Sequence, residues 1–86
     1  MIIRVPSPLR SYTSGNAQVE ASGRTVLEVL ADLDHRHPGI RFRMIDEQGR
    51  IREHIKIFIG IEPVEDLGEA ICETDRMHII CALSGG

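Results

Sequence analysis

The sequence predicts one two-layer α+β domain, with a single main helix packed on one face of a sheet of about four to five strands. Three observations carry this. The 86 residues hold 12 Ile and 5 Val against three aromatics, Tyr12, Phe42 and Phe58, a β-branched bias that suits strands. Only one segment, beginning at Thr25, has strong helical periodicity. The segments around it read strand, strand, helix, strand, strand, and one helix covers only one face of a sheet, leaving the other partly open.

Ile2-Ile3-Arg4-Val5 reads as a first strand, ended by Pro6-Ser7-Pro8 because proline donates nothing to a ladder. Ser14-Gly15-Asn16 marks a turn, and residues 17–21 alternate apolar and polar as a second strand, giving a hairpin. Thr25 and Glu28 form a capping box in which the hydroxyl accepts from the third helical amide and the carboxylate reaches back to the cap amide. Val26, Val29, Leu30 and Leu33 then fall on one helical face. His35, Arg36 and His37 place positive charge in the last turn, and Pro38-Gly39 stops the helix. Residues 40–45 read as a short helix or turn. Residues 51–59 form a strand with Ile55, Ile57 and Ile59 on one face and Lys56 and Phe58 on the other, broken at Gly60. Residues 62–75 form an acidic loop with one helical turn near Val64–Leu67, and Met77–Cys81 is the last strand. Its alternation puts Met77 and Ile79 against the helix and turns His78 and Ile80 outward beside Phe58, where they form a partner patch unless the acidic loop covers them.

Composition excludes several functions. A net charge of −3 without a basic stripe argues against nucleic acid. The apolar run from Ile79 to Leu83 is too short to span a bilayer, and the N-terminus lacks a signal-peptide layout. Cys72 and Cys81 make neither a disulfide framework nor a Cys-x-x-Cys pair. The reading is a cytoplasmic domain with free thiols and no membrane partner. His35 and His37 stand two apart and face different sides of a helix, His54 and His78 lie elsewhere, and no metal-ligand spacing is present, so no metal is expected. The carboxylates at Glu62, Glu65, Asp66, Glu69, Glu73 and Asp75 read as a solvated loop, and no Gly-rich phosphate loop is found.

The strand–strand–helix–strand–strand order, Pro-Ser-Pro-Leu-Arg at 6–10 and His-Ile-Ile-Cys-Ala-Leu-Ser-Gly-Gly at 78–86 together resemble the β-grasp, ubiquitin-like sulfur carriers. That family includes the molybdopterin synthase small subunit, the thiamine-pathway carrier and the cysteine-biosynthesis carrier. The stretch from Met44 through Ile59 looks most like the cysteine-biosynthesis branch. Gly60-Ile61 stands where many members carry Asn-Gly, Glu73-Thr74-Asp75 where many carry Asp-Gly-Asp, and Cys81 where members often carry proline.

The resemblance implies a mixed β-grasp sheet over residues 1–86, with 82–86 as a flexible C-terminal tail. It implies a carrier rather than an enzyme. No cofactor is bound; a ubiquitin-activating-like adenylyltransferase uses ATP to adenylate the carboxylate of Gly86, next to Gly85. A sulfur donor then converts it to a thiocarboxylate, which a sulfur-accepting biosynthetic enzyme consumes. Glycines lack a Cβ and let the backbone thread a narrow channel. The six residues from Cys81 to Gly86 reach roughly 20 Å when extended. Phe58, His78, Ile80, Leu83 and Ser84 are the expected partner-binding residues. Two other readings stay open: a protein modifier joined to target lysines, and an interaction subunit whose diglycine is incidental.

Overall fold

A computed structural model describes residues 1–82 of the protein. Five strands form one sheet in the order β2-β1-β5-β3-β4. They are β1 (Ile2–Arg4), β2 (Gln18–Glu20), β3 (Ile55–Ile59), β4 (Glu62–Pro63) and β5 (Arg76–Cys81). The sheet is mixed: β1 runs parallel to β5, and the other pairs are antiparallel. Two helices, α1 (Val26–Arg36) and α2 (Ile40–Met44), contribute buried side chains to the core.

Local signals account for most of these elements. The α1 stripe of Val26, Val29, Leu30 and Leu33 is fully buried, each side chain contributing about 1.5–3 kcal/mol relative to exposure. It meets Ile3, Ile55, Ile57, Met77 and Ile79, the inward residues of the alternating strands. The Thr25 hydroxyl accepts from the Glu28 amide at 3.2 Å, as the capping box requires. The Glu28 carboxylate does not return to the cap amide. It accepts from the Arg24 amide at 3.1 Å, one residue earlier. Gly39, at φ 97°, turns the chain between α1 and α2.

Three segments differ from expectation. Residues 7–13 are a 3-10 helix, Ser7–Thr13, where the sequence showed only a strand terminator. Pro8 sits at its start, Leu9 is buried beneath it, and Ser14 and Gly15 close it with positive φ at the expected turn. β3 begins at Ile55, later than position 51. Arg52 donates its amide to Met44, and Ile51 forms an isolated bridge with Ile45, so residues 45–51 close a small loop of their own. The helical turn expected near Val64–Leu67 is absent, and Glu62–Pro63 pairs with Ile59 and Phe58 as β4. The following chain turns at residues 67–68 beside the start of α1, where the Glu69 and Leu67 carbonyls accept the amides of Val26 and Leu27 at 3.1 and 2.8 Å. Those two amides belong to the four that a helix cannot satisfy internally.

Candidate functional site

β5 is the central strand, and its alternation sets the character of both sheet faces. Met77 and Ile79 are buried at 0% and 4% exposure; Ile80 is 47% exposed. On the open face, Phe58 pairs with His78, and Lys56 pairs with Ile80. Arg4 lies on the other side of His78, in register across the parallel β1·β5 pair. The structure therefore brings Phe58, His78 and Ile80 onto one face, as expected, with Phe58 and His78 half-buried. It adds three cations to that face, Arg4, Lys56 and Arg76, all exposed. Leu83, Ser84, Gly85 and Gly86 lie outside the described residues.

The last described contact of this segment lies beside the start of β3. The Ala82 amide donates to the His54 carbonyl at 2.7 Å, just before β3 begins. Around this point α2 and the 3-10 helix present aromatic and basic groups. The Arg43 guanidinium lies 5.8 Å from the Tyr12 ring centroid and donates from Nε to the Tyr12 hydroxyl. Arg52 lies 4.8 Å from the Phe42 ring centroid and donates from Nε to the Phe42 carbonyl at 2.8 Å. Phe42 itself is 58% exposed. Sequence reading missed this group. Arg-Phe-Arg at 41–43 and Arg-Ile-Arg at 50–52 were visible, but nothing in their spacing shows that α2 and the approach to β3 meet beside Tyr12.

The remaining chemistry-bearing residues do not converge. Cys72 and Cys81 are free thiols, and among the described residues no group of His, Cys, Asp or Glu is arranged to hold a metal ion. The acidic loop is exposed but not idle. The Glu69 carboxylate accepts the amides of Glu65 and Asp66, Asp66 accepts from Gly68, and Asp75 accepts from Cys72. Its acids cap its own turns. Among the described residues no helix is long and apolar enough to cross a membrane.

A ubiquitin-like sheet with one face covered by a helix, the other open, and a central C-terminal strand leading off it defines the β-grasp class. The chain belongs to the ThiS family, whose model matches residues 3–86. It is similar to the sulfur carrier protein CysO of Mycobacterium tuberculosis, at 33% identity over 89 residues, covering 98% of this chain and 96% of that protein. Among solved structures it resembles a chain of the Amycolatopsis orientalis BexX/CysO complex, with a TM-score of 0.91, 33% identity, and 99% of this chain and 98% of that one covered. SAMP1 from Haloferax volcanii shares the fold at a TM-score of 0.77 and 25% identity, covering 99% of this chain and 97% of that one. The protein is thus a β-grasp sulfur carrier of the CysO-like branch, as the sequence resemblance implied.

Proposed function

We propose that this carrier works through the carboxylate of Gly86. A partner adenylyltransferase of the ubiquitin-activating type joins that carboxylate to the α-phosphorus of ATP, releasing pyrophosphate and leaving an acyl-adenylate. A hydrosulfide-level donor attacks the acyl carbon, AMP departs, and a thiocarboxylate remains. Its sulfur is the nucleophile that a biosynthetic enzyme then consumes. The protein is a co-substrate in this scheme and holds no cofactor of its own. The observation that carries the reading is a family match that runs through residue 86 and so takes in Gly85 and Gly86. The Amycolatopsis likeness is to a carrier solved together with a partner, which supports an obligate enzyme partner here. Phe58, His78 and Ile80 on the open face supply contacts that offset the cost of ordering the tail, about 1–2 kcal/mol per residue.

Intact-mass spectrometry after incubation with the activating enzyme, ATP and sulfide tests this. The expected product differs from the starting protein by the exchange of one oxygen for sulfur. Deleting Gly86 should abolish activation and leave the circular dichroism unchanged, because misplacing a reacting carboxyl by even about 1 Å is costly. Cys72→Ser and Cys81→Ser should both still load; loss of loading with either thiol would point to a persulfide carrier and sink the scheme. The likeness to SAMP1, described as a small archaeal modifier protein, favours one second reading, transfer of the activated carboxyl to lysine. Lysine-linked conjugates without any thiocarboxylate would select it.

A further inference from the structure

The basic and aromatic groups at the root of the C-terminus have a definite geometry. Arg43 and Arg52 each spend Nε on a neutral oxygen, the Tyr12 hydroxyl and the Phe42 carbonyl, and each lies against an aromatic ring. Stacking and the Nε bond hold the two forks in place, so little side-chain freedom is left to lose on binding. Among the described residues neither arginine makes an ion pair within 4.0 Å, and the Arg52 charge also acts on the Asp46 carboxyl. Among the described residues the one ion pair within 4.0 Å joins Arg36 to Asp32, on α1. Two hollows of about 210 and 240 Å³ share Arg43 and His54 as walls; Phe42 and Arg52 complete the first, and Cys81 lines the second. Arg41 lines a different hollow, with Asp34, Asp46 and Glu47, and Arg52 also borders a larger one with Glu53, Glu65 and Asp66, whereas the two hollows that Arg43 lines contain no acid.

We propose that Arg43 and Arg52, with exposed Phe42, form a docking site for a carboxylate-bearing segment of the enzyme that takes up the C-terminus. This rests on the carrier reading for the identity of the partner. Position supports it. Ala82 is bonded to His54, a wall of both hollows, and the four residues beyond it span at most about 14 Å in any conformation. Any enzyme that holds Gly86 therefore has its surface close to these guanidinium groups. Chemistry supports it as well. With Nε occupied, each Arg presents its two terminal nitrogens, which match the two oxygens of a carboxylate end-on. Arg beside an exposed aromatic is the composition of energetic centres at protein interfaces. Nucleic acid is the poorer occupant, because a chain of charge −3 with two anchored cations lacks the extended basic track that a phosphodiester backbone requires.

Two measurements test the site. In the first, labelled protein is titrated with a hexaglutamate peptide at low salt while the arginine Nε–H signals are followed by NMR. Saturable Nε–H shifts at Arg43 and Arg52 are expected, with accompanying backbone-amide shifts at residues 42–54 that vanish in Arg43→Gln/Arg52→Gln. Shifts centred on Arg4 and Arg76, no saturable shift, or tighter binding of a single-stranded oligonucleotide at the same arginines would overturn the proposal. In the second, ATP–pyrophosphate exchange is measured with the activating enzyme from the same genome. Arg43→Glu/Arg52→Glu should raise KM for the carrier roughly tenfold at low salt, with kcat and the amide spectrum unchanged, whereas Arg24→Glu should leave KM alone. An unchanged KM, or a fall in kcat alone, counts against docking. No exchange with the native chain would sink the carrier reading instead, and the peptide titration would still decide the site.

Discussion

The two faces of the sheet are built from the same strands and answer to different demands. On the covered face, Ile3, Ile55, Ile57, Met77 and Ile79 are all under 5% exposed and meet the α1 stripe. On the open face, the residues between them are Arg4, Lys56, Phe58, His78 and Ile80, a mixture of cations and apolar side chains that no element among the described residues covers fully. A strand one residue out of register would exchange these sets, so the core and the open face are fixed by the same alternation. The covered face shows what the sheet needs to fold. The open face shows what folding leaves exposed.

The sharpest way to break this comparison is one charge on each face of β5. Met77→Asp or Ile79→Asp places a carboxylate among apolar neighbours without a partner and should cost several kcal/mol, enough to unfold a domain of this size. Ile80→Asp should stay within about 0.5 kcal/mol of the native chain, as surface substitutions do. Thermal melts of the three variants check it; an unfolded Ile80→Asp beside a folded Ile79→Asp would reverse the assignment of the faces.

The second largest effect lies in the covering layer. A Cβ added at Gly23 would stand 2.6 Å from the Val29 amide nitrogen and 2.8 Å from the Glu28 carbonyl carbon, both backbone atoms that cannot step aside. Gly23→Ala should therefore cost about 1–3 kcal/mol by overpacking. Removing the cap by Thr25→Ala should cost less, about 1 kcal/mol, because only the Glu28 amide loses its acceptor. Denaturant midpoints at constant m rank the two. Equal losses would mean that the close approach at Gly23 relaxes.

How far the sequence revealed this molecule follows the range of the interactions. The α1 cap, its buried stripe, the Ser14–Gly15 turn and the alternation of β3 and β5 are set within a few residues, and the sequence shows them. The 3-10 helix depends on burying Leu9 under a chain that arrives later, and β4 depends on what Ile59 and Phe58 offer as partners. The acidic loop looked helical near Val64–Leu67 because its local composition permits a turn. In the fold its carbonyls serve the first amides of α1, a demand some forty residues away in the chain. The same holds for function. Phe58, His78 and Ile80 follow from period two, while the meeting of Arg43, Arg52, Tyr12 and Phe42 is tertiary and leaves no spacing to read.

The smallest effect concerns neither face, and it sharpens the contrast because it appears only with pH. Asp46 begins the turn between α2 and β3, and its Oδ1 accepts the amides of Arg50 and Gln48, both at 2.9 Å. The Arg50 amide, then the Gln48 amide and the charges of Arg50 and Arg52, hold its carboxyl below the ordinary 3.8. A lowered value in the folded state means that the unfolded chain binds the proton more readily. The stabilisation from Asp46 is therefore complete above about pH 3.8 and is lost as pH falls through the lower folded value. Asp46→Asn removes the charge at every pH. It should be slightly less stable than the native chain at neutral pH and converge with it in acid, giving a shallower acid limb. Asp32 is depressed in the same direction, first by the Ser22 amide and then by Arg36, and is present in both proteins, so some acid dependence should survive. Urea midpoints from pH 2 to pH 7 measure the difference. Two parallel curves would mean that the Asp46 charge contributes nothing to the turn, and that its oxygen acts as a neutral acceptor only.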